Sequence, residues 1–159
     1  MNIACQCTQE TKVRKIKVEE NGKSAVLLNP DGKMHHKVQV DGCLLKQQTA
    51  CDWYIRSVQN DENEWMVLIE LKGRDVEHAL NQIDSTVKYL QNENRFKGVS
   101  RWSALIVCSK VPKSPKYDSR LQNIQSKFAQ KYKAPIHIVN GIYEYIPESL
   151  LSFGSPLRK

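Results

Sequence analysis

The chain has 159 residues, with 24 Lys and Arg against 17 Asp and Glu for a formal charge of +7, and 40% of its residues are hydrophobic. That balance excludes a weakly hydrophobic disordered chain and suits one globular domain spanning residues 1–159, large enough for a single core without staples. No apolar run approaches the roughly 18 residues of a membrane span, and the opening Met-Asn-Ile-Ala-Cys-Gln-Cys lacks a signal-peptide layout, so a cytoplasmic protein with no membrane partner is expected.

Residues 1–12 read as a frayed polar terminus. The five cysteines, at 5, 7, 43, 51 and 108, are odd in number and irregular in spacing, which predicts no disulfide framework and fits a reducing compartment. Cys5-Gln-Cys7 and His35-His36 do not follow zinc-ligand spacing and read as solvated tail and loop residues. From Lys12 to Glu20 the pattern favours a strand. Asn21-Gly22 is a hairpin turn, Ala25 to Leu28 a short strand, and Asn29-Pro30-Asp31-Gly32 a second turn, together an N-terminal β-meander. A further strand is expected over 36–46, interrupted at Asp41-Gly42. There the glycine suits a turn or bulge, and Asp41 is also a candidate acid beside the strands that follow.

Ala50 to Val58 is rich in β-formers, and the polar stretch 59–64 separates it from Trp65-Met-Val-Leu-Ile-Glu-Leu-Lys-Gly73, so the two runs predict an antiparallel hairpin. The apolar run Trp65–Ile69 suits a strand buried on both faces. Side chains alternate with period two, so Glu70 and Lys72 share a face, roughly 6.5–7 Å apart along the chain. The hairpin brings Asp52, at the start of its first strand, to the same end. Two carboxylates with the Leu71 carbonyl suit Mg²⁺, a hard cation that takes oxygen ligands and keeps several waters, with Mn²⁺ as its substitute. A metal-activated water and a nearby ammonium, Lys72, are the components of phosphodiester hydrolysis.

Asp75 to Leu90 predicts a helix whose apolar stripe is Val76, Ala79, Leu80, Ile83, Val87 and Leu90, with Gln82, His78, Thr86 and Tyr89 off it. Ser103–Ser109 is a second buried strand, and a strand-helix-strand crossover makes it parallel to the first. The Pro-rich stretch 110–117 is a loop, 118–132 a helix, 136–139 a last strand, and 141–159 a short cap with a loose tail. Residues 86–133 hold 11 basic and 2 acidic side chains, a block expected to attract a nucleic-acid backbone. Its candidate contacts are Lys97, Arg101, Lys110, Lys113, Lys116 and Arg120. Trp102, Tyr143, Tyr145 and Phe153 are candidate contacts of a homodimer, the assembly that would present two sites to the two strands of a duplex.

Asp52 followed by Glu70-Leu71-Lys72 at the end of a hydrophobic strand resembles the core motif of the PD-(D/E)XK nuclease superfamily, over roughly residues 38–140. Glu10-Thr11-Lys12 and Asp31-Gly32-Lys33 match the same short pattern, but in polar, turn-like surroundings. The resemblance implies an α/β fold, a restriction-endonuclease-like mixed central sheet flanked by helices, here with the N-terminal β-meander. It also implies DNA as substrate, with RNA the other candidate, Asp52 and Glu70 as metal ligands, Lys72 as the catalytic lysine, and Gln82 as the helix glutamine that supports the site in some branches. Cys51 stands where the motif has proline. The acids before residue 38, Glu10, Glu19 and Glu20, sit in no clear helix, a departure from members that begin with a glutamate-bearing helix. The alternative is therefore an inactive nuclease-fold module that binds nucleic acid or recruits a subunit.

Overall fold

The computed structural model describes residues 6–58, 63–71, 75–108, 118–141 and 144–154. Its main sheet has six strands in the order β1-β4-β5-β6-β7-β8, formed by Thr8–Thr11, His35–Gln39, Trp53–Ser57, Glu64–Leu71, Val99–Cys108 and Ile136–Asn140. β1 to β6 pair antiparallel along that order, whereas β6, β7 and β8 run parallel. Parallel neighbours need crossovers, and helices α1 (Val76–Asn92) and α2 (Ser119–Tyr132) lie in the β6–β7 and β7–β8 connections. Each helix starts on an aspartate that caps it: Asp75 accepts from His78 N and Asp118 from Leu121 N. The chain is therefore α/β with a mixed sheet.

A second sheet, β2-β3-β9, holds Lys15–Glu20, Lys23–Leu28 and Glu144–Tyr145. Asn21 and Gly22, with φ of 49° and 78°, make the tight turn of the β2–β3 hairpin. Two apolar layers result. Met66, Leu68, Ala104 and Ile106 pack with the stripes of α1 and α2, while Val67, Ile69, Leu105 and Val107 pack with Ile16, Val18, Leu27 and Tyr145 of the second sheet. Burial on both faces explains the unbroken apolar runs of β6 and β7. Among the described residues no helix is long and apolar enough to cross a membrane.

Several expectations need correction. The N-terminal segment is not frayed throughout, because Thr8–Thr11 pairs with β4 as an edge strand of the main sheet. The meander is accordingly split between two sheets. The strand expected over 36–46 ends at Gln39, where residues 39–45 fold into a turn closed by Leu45 N to Val40 O and Leu44 N to Gln39 O. Cys7 and Cys43 form a disulfide, and Cys51 and Cys108 are buried thiols, so Cys7 is not solvated, while Cys5 lies outside the described residues. His35 is likewise buried, against the ring of Trp65. In the expected loose tail, β9 pairs with β3, the helical turn α3 (Pro147–Leu150) follows, and Leu150 and Leu151 are buried. Trp102, half-buried, packs among Phe96, Phe128 and Tyr132, and Tyr145 is fully buried, which removes Tyr145 from the candidate dimer contacts. Phe153 is exposed, and Tyr143 lies outside the described residues.

Candidate active site

Asp52 immediately precedes β5 and Glu70 lies near the end of β6. The register that sets Trp53 opposite Ile69 therefore brings both acids to one end of the sheet. Asp52 is 8% exposed and Glu70 1%. Asp52 Oδ2 accepts a 2.8 Å hydrogen bond from Leu71 N, which fixes this carboxylate beside the Glu70–Leu71 peptide. By strand alternation Glu70 shares the helix-facing side of β6 with Met66 and Leu68. Its negative charge reaches two thiols. Burial pushes Cys51 far up, with Glu70 and Asp52 adding to the shift, and burial followed by Glu70 pushes Cys108 up to about 11.

Helix α1 braces the approach to Asp52. Thr86 Oγ1 accepts from Cys51 N at 2.8 Å and donates to Gln82 O at 2.8 Å, while Gln82 Nε2 donates to Ala50 O at 3.1 Å. Gln82 is thus placed beside the strand that leads into the site. Its Oε1 is buried and has no hydrogen-bond partner among the described residues. Asp41 braces the opposite side through the backbone: its N donates to Cys51 O at 3.1 Å and Val40 N donates to Asp52 O at 2.9 Å. The Asp41-Gly42 pair is both a turn, with Gly42 at φ 78°, and a neighbour of the corner, with the Asp41 side chain exposed.

Sequence reasoning left Glu20 without a position. It ends β2, and burial raises its pKa, as do the nearby charges of Asp52 and Asp41. No local pattern marks it, since only the packing of the second sheet on the first brings it there. Lys23 sits opposite Glu20 across the hairpin, and Arg120 lies in the first turn of α2. Both lower the Cys108 thiol, against the raising effects of burial, Glu70 and Asp75. Cations from two different elements therefore reach the neighbourhood of Cys108, the last residue of β7.

Of the predicted basic contacts, Lys97, Arg101 and Arg120 lie among the described residues, whereas Lys110, Lys113 and Lys116, like Lys72, lie outside them. Arg120 is in the first turn of α2. Arg101, however, pairs with Trp65 across β6–β7, whereas Leu71 pairs with Val107. Six strand residues separate the two levels, roughly 20 Å. Arg101 is also engaged by Glu148 through bonds of 2.5 and 3.1 Å, and Lys97 lies just before β7, at the same remote end.

The donors suit a hard divalent cation: Asp52 and Glu70 offer carboxylate oxygens, and the buried Gln82 Oε1 offers a neutral one. Among the described residues no three His, Cys, Asp or Glu side chains already converge as a metal-holding group. Two carboxylates match the open, water-rich coordination that Mg²⁺ keeps. Comparison with known proteins finds no matching family model, no matching curated protein and no matching solved structure.

Proposed function

We propose that this chain is a Mg²⁺-dependent nuclease that hydrolyses phosphodiester bonds of DNA, with Mn²⁺ as a substitute metal. The observation that carries the reading is the pair of buried carboxylates, Asp52 and Glu70, at one sheet end, the first bonded to Leu71 N at 2.8 Å. Burying two acids side by side opposes folding unless a cation or hydrogen bonds compensate, and such sites concentrate where chemistry is done. Asp52, Glu70 and the Leu71 carbonyl would hold the metal. When bound, Mg²⁺ supplies a water of lowered pKa and offsets charge on the phosphorus.

The remaining roles belong to this chain's own groups. Lys72, two residues beyond Glu70, is assigned to orient the attacking water. Gln82 positions the Ala50–Cys51 backbone through its bond to Ala50 O. Lys23 and Arg120 bring positive charge to the neighbourhood of Cys108, which also feels Glu70, and are assigned to attract the phosphate. The mixed sheet, with antiparallel β4–β6 followed by a helix and a parallel strand, supports the finer reading of a restriction-endonuclease-like fold.

The test is cleavage of supercoiled plasmid and linear duplex in Mg²⁺, Mn²⁺ or EDTA, with RNA as competitor. Cleavage should require metal and be lost in Glu70→Ala and Lys72→Ala variants that keep the parent's circular dichroism. Folded protein that binds duplex equally with EDTA or Glu70→Ala, and never cuts it, would instead be the inactive binding module.

A further inference from the structure

The Cys7–Cys43 disulfide joins positions 36 residues apart and attaches the start of β1 to the turn that abuts Asp52. Gln39 N donates to Cys7 O at 3.0 Å and Cys43 N to Val40 O at 3.2 Å. From the same turn, Val40 N and Asp41 N hold Asp52 O and Cys51 O. The crosslink is therefore covalently close to the two amides that fix the Asp52 backbone. β1 is an edge strand of four residues, paired among the described residues with β4 alone, so this bond is a substantial part of what anchors it. Cys43 is half-buried, with the exposed Asp41 and Gly42 before it and the buried Leu44 and Leu45 after it, whereas Cys7 is buried. A thiolate from solvent thus has its approach at Cys43.

We propose that Cys7–Cys43 is a redox-sensitive clamp: intact, it orders the Gln39–Leu45 turn and through it the backbone of Asp52, and on reduction it releases both the turn and β1. The reductant is a dithiol. One of its thiolates attacks Cys43 Sγ, the S–S bond breaks, and Cys7 leaves as a thiolate that takes a proton. The second thiol then attacks the mixed disulfide, expelling Cys43, which is protonated in turn, while the reductant departs as a cyclic disulfide. The protein gains two electrons and two protons, and the reductant loses them.

Amide hydrogen exchange of the full chain, oxidised and then reduced with dithiothreitol, tests the clamp. Exchange at Gln39, Val40 and Asp41 should accelerate by about tenfold or more on reduction while β6 and β7 keep their rates, as a local opening requires. The Cys7→Ser/Cys43→Ser double variant should exchange fast at these amides with or without dithiol. Unchanged exchange at the three amides after complete reduction, verified by thiol titration, would overturn the proposal. So would equal acceleration throughout the sheet, which would make the bond a global staple. The consequence for catalysis rests on the nuclease reading and is measured separately, as Mg²⁺-dependent cleavage in the two redox states. Faster exchange with no cleavage in either state removes the nuclease and leaves the clamp, whereas equal cleavage in both states removes its control over the site.

Discussion

Asp52 has two separable duties, to carry charge and to accept from Leu71 N, and two substitutions divide them. Asp52→Asn keeps a carbonyl oxygen within reach of that amide, so the unfolding free energy should stay within about 1 kcal/mol of the parent, whereas Asp52→Ala leaves a buried N–H unmet and should cost about 1–3 kcal/mol. On the proposed nuclease reading both changes should abolish metal-dependent cleavage, since either removes the charge assigned to hold the metal. The neighbour reports as well. Asp52 is one of the charges that raise Glu20, so in Asp52→Asn the Glu20 carboxyl should titrate closer to its ordinary value. Chemical-shift titration of both proteins checks this, and a Glu20 curve that does not move would place Asp52 too far away to matter.

Between elements, the contact that decides the site is the clip from α1 to the Ala50–Cys51 backbone. Thr86 is fully buried and bonds at both ends, so Thr86→Val, which keeps the shape, strands Cys51 N and should destabilise the chain by about 1–3 kcal/mol by urea unfolding. Loss of less than a few tenths of that would mean another acceptor replaces it. The helix itself was legible in sequence, because Val76, Ala79, Ile83, Val87 and Leu90 repeat at helical spacing and are all buried. The antiparallel β5–β6 pair was legible too, since the two strands are neighbours in sequence and alternate or run apolar. What escaped depends on pairing between distant segments. Cys7 and Cys43 meet only because β1 docks on β4, and the two-residue strand β9 exists only because β3 offers it an edge. Glu20 escaped for the same reason. Closeness along the chain is also not closeness in space for the described members of the basic block: Arg101 lies near the start of β7, at the end of the sheet away from Asp52, while Arg120 follows the strand's other end in α2.

Across the whole molecule, acid tests how the apolar layer between the two sheets tolerates charge. Burial lowers the pKa of both His35 and His137 from 6.5, more than their backbone hydrogen bonds raise it. His137 contacts Leu150 O through Nε2 at 2.8 Å, and its Nδ1 is buried with no hydrogen-bond partner among the described residues. A second proton there would be a charge in the core. Because the folded pKa lies below the unfolded one, the unfolded chain binds the extra proton first as pH falls through 6.5. Stability is thus full above that value and declines below it, by at most about 1.4 kcal/mol per pH unit for each histidine. Glu20 acts in the opposite sense. Its folded pKa lies above 4.5, so ionising it opposes folding as pH rises from 4.5 through the raised value. The net slope between pH 5 and 6.5 therefore needs a variant to resolve it. His137→Gln keeps a donor for Leu150 O and removes the titration, so its unfolding midpoint in urea should change less than the parent's between about pH 7.5 and pH 5.5. Identical pH dependence in the two proteins would show that His137 is not among the groups through which acid unfolds the chain.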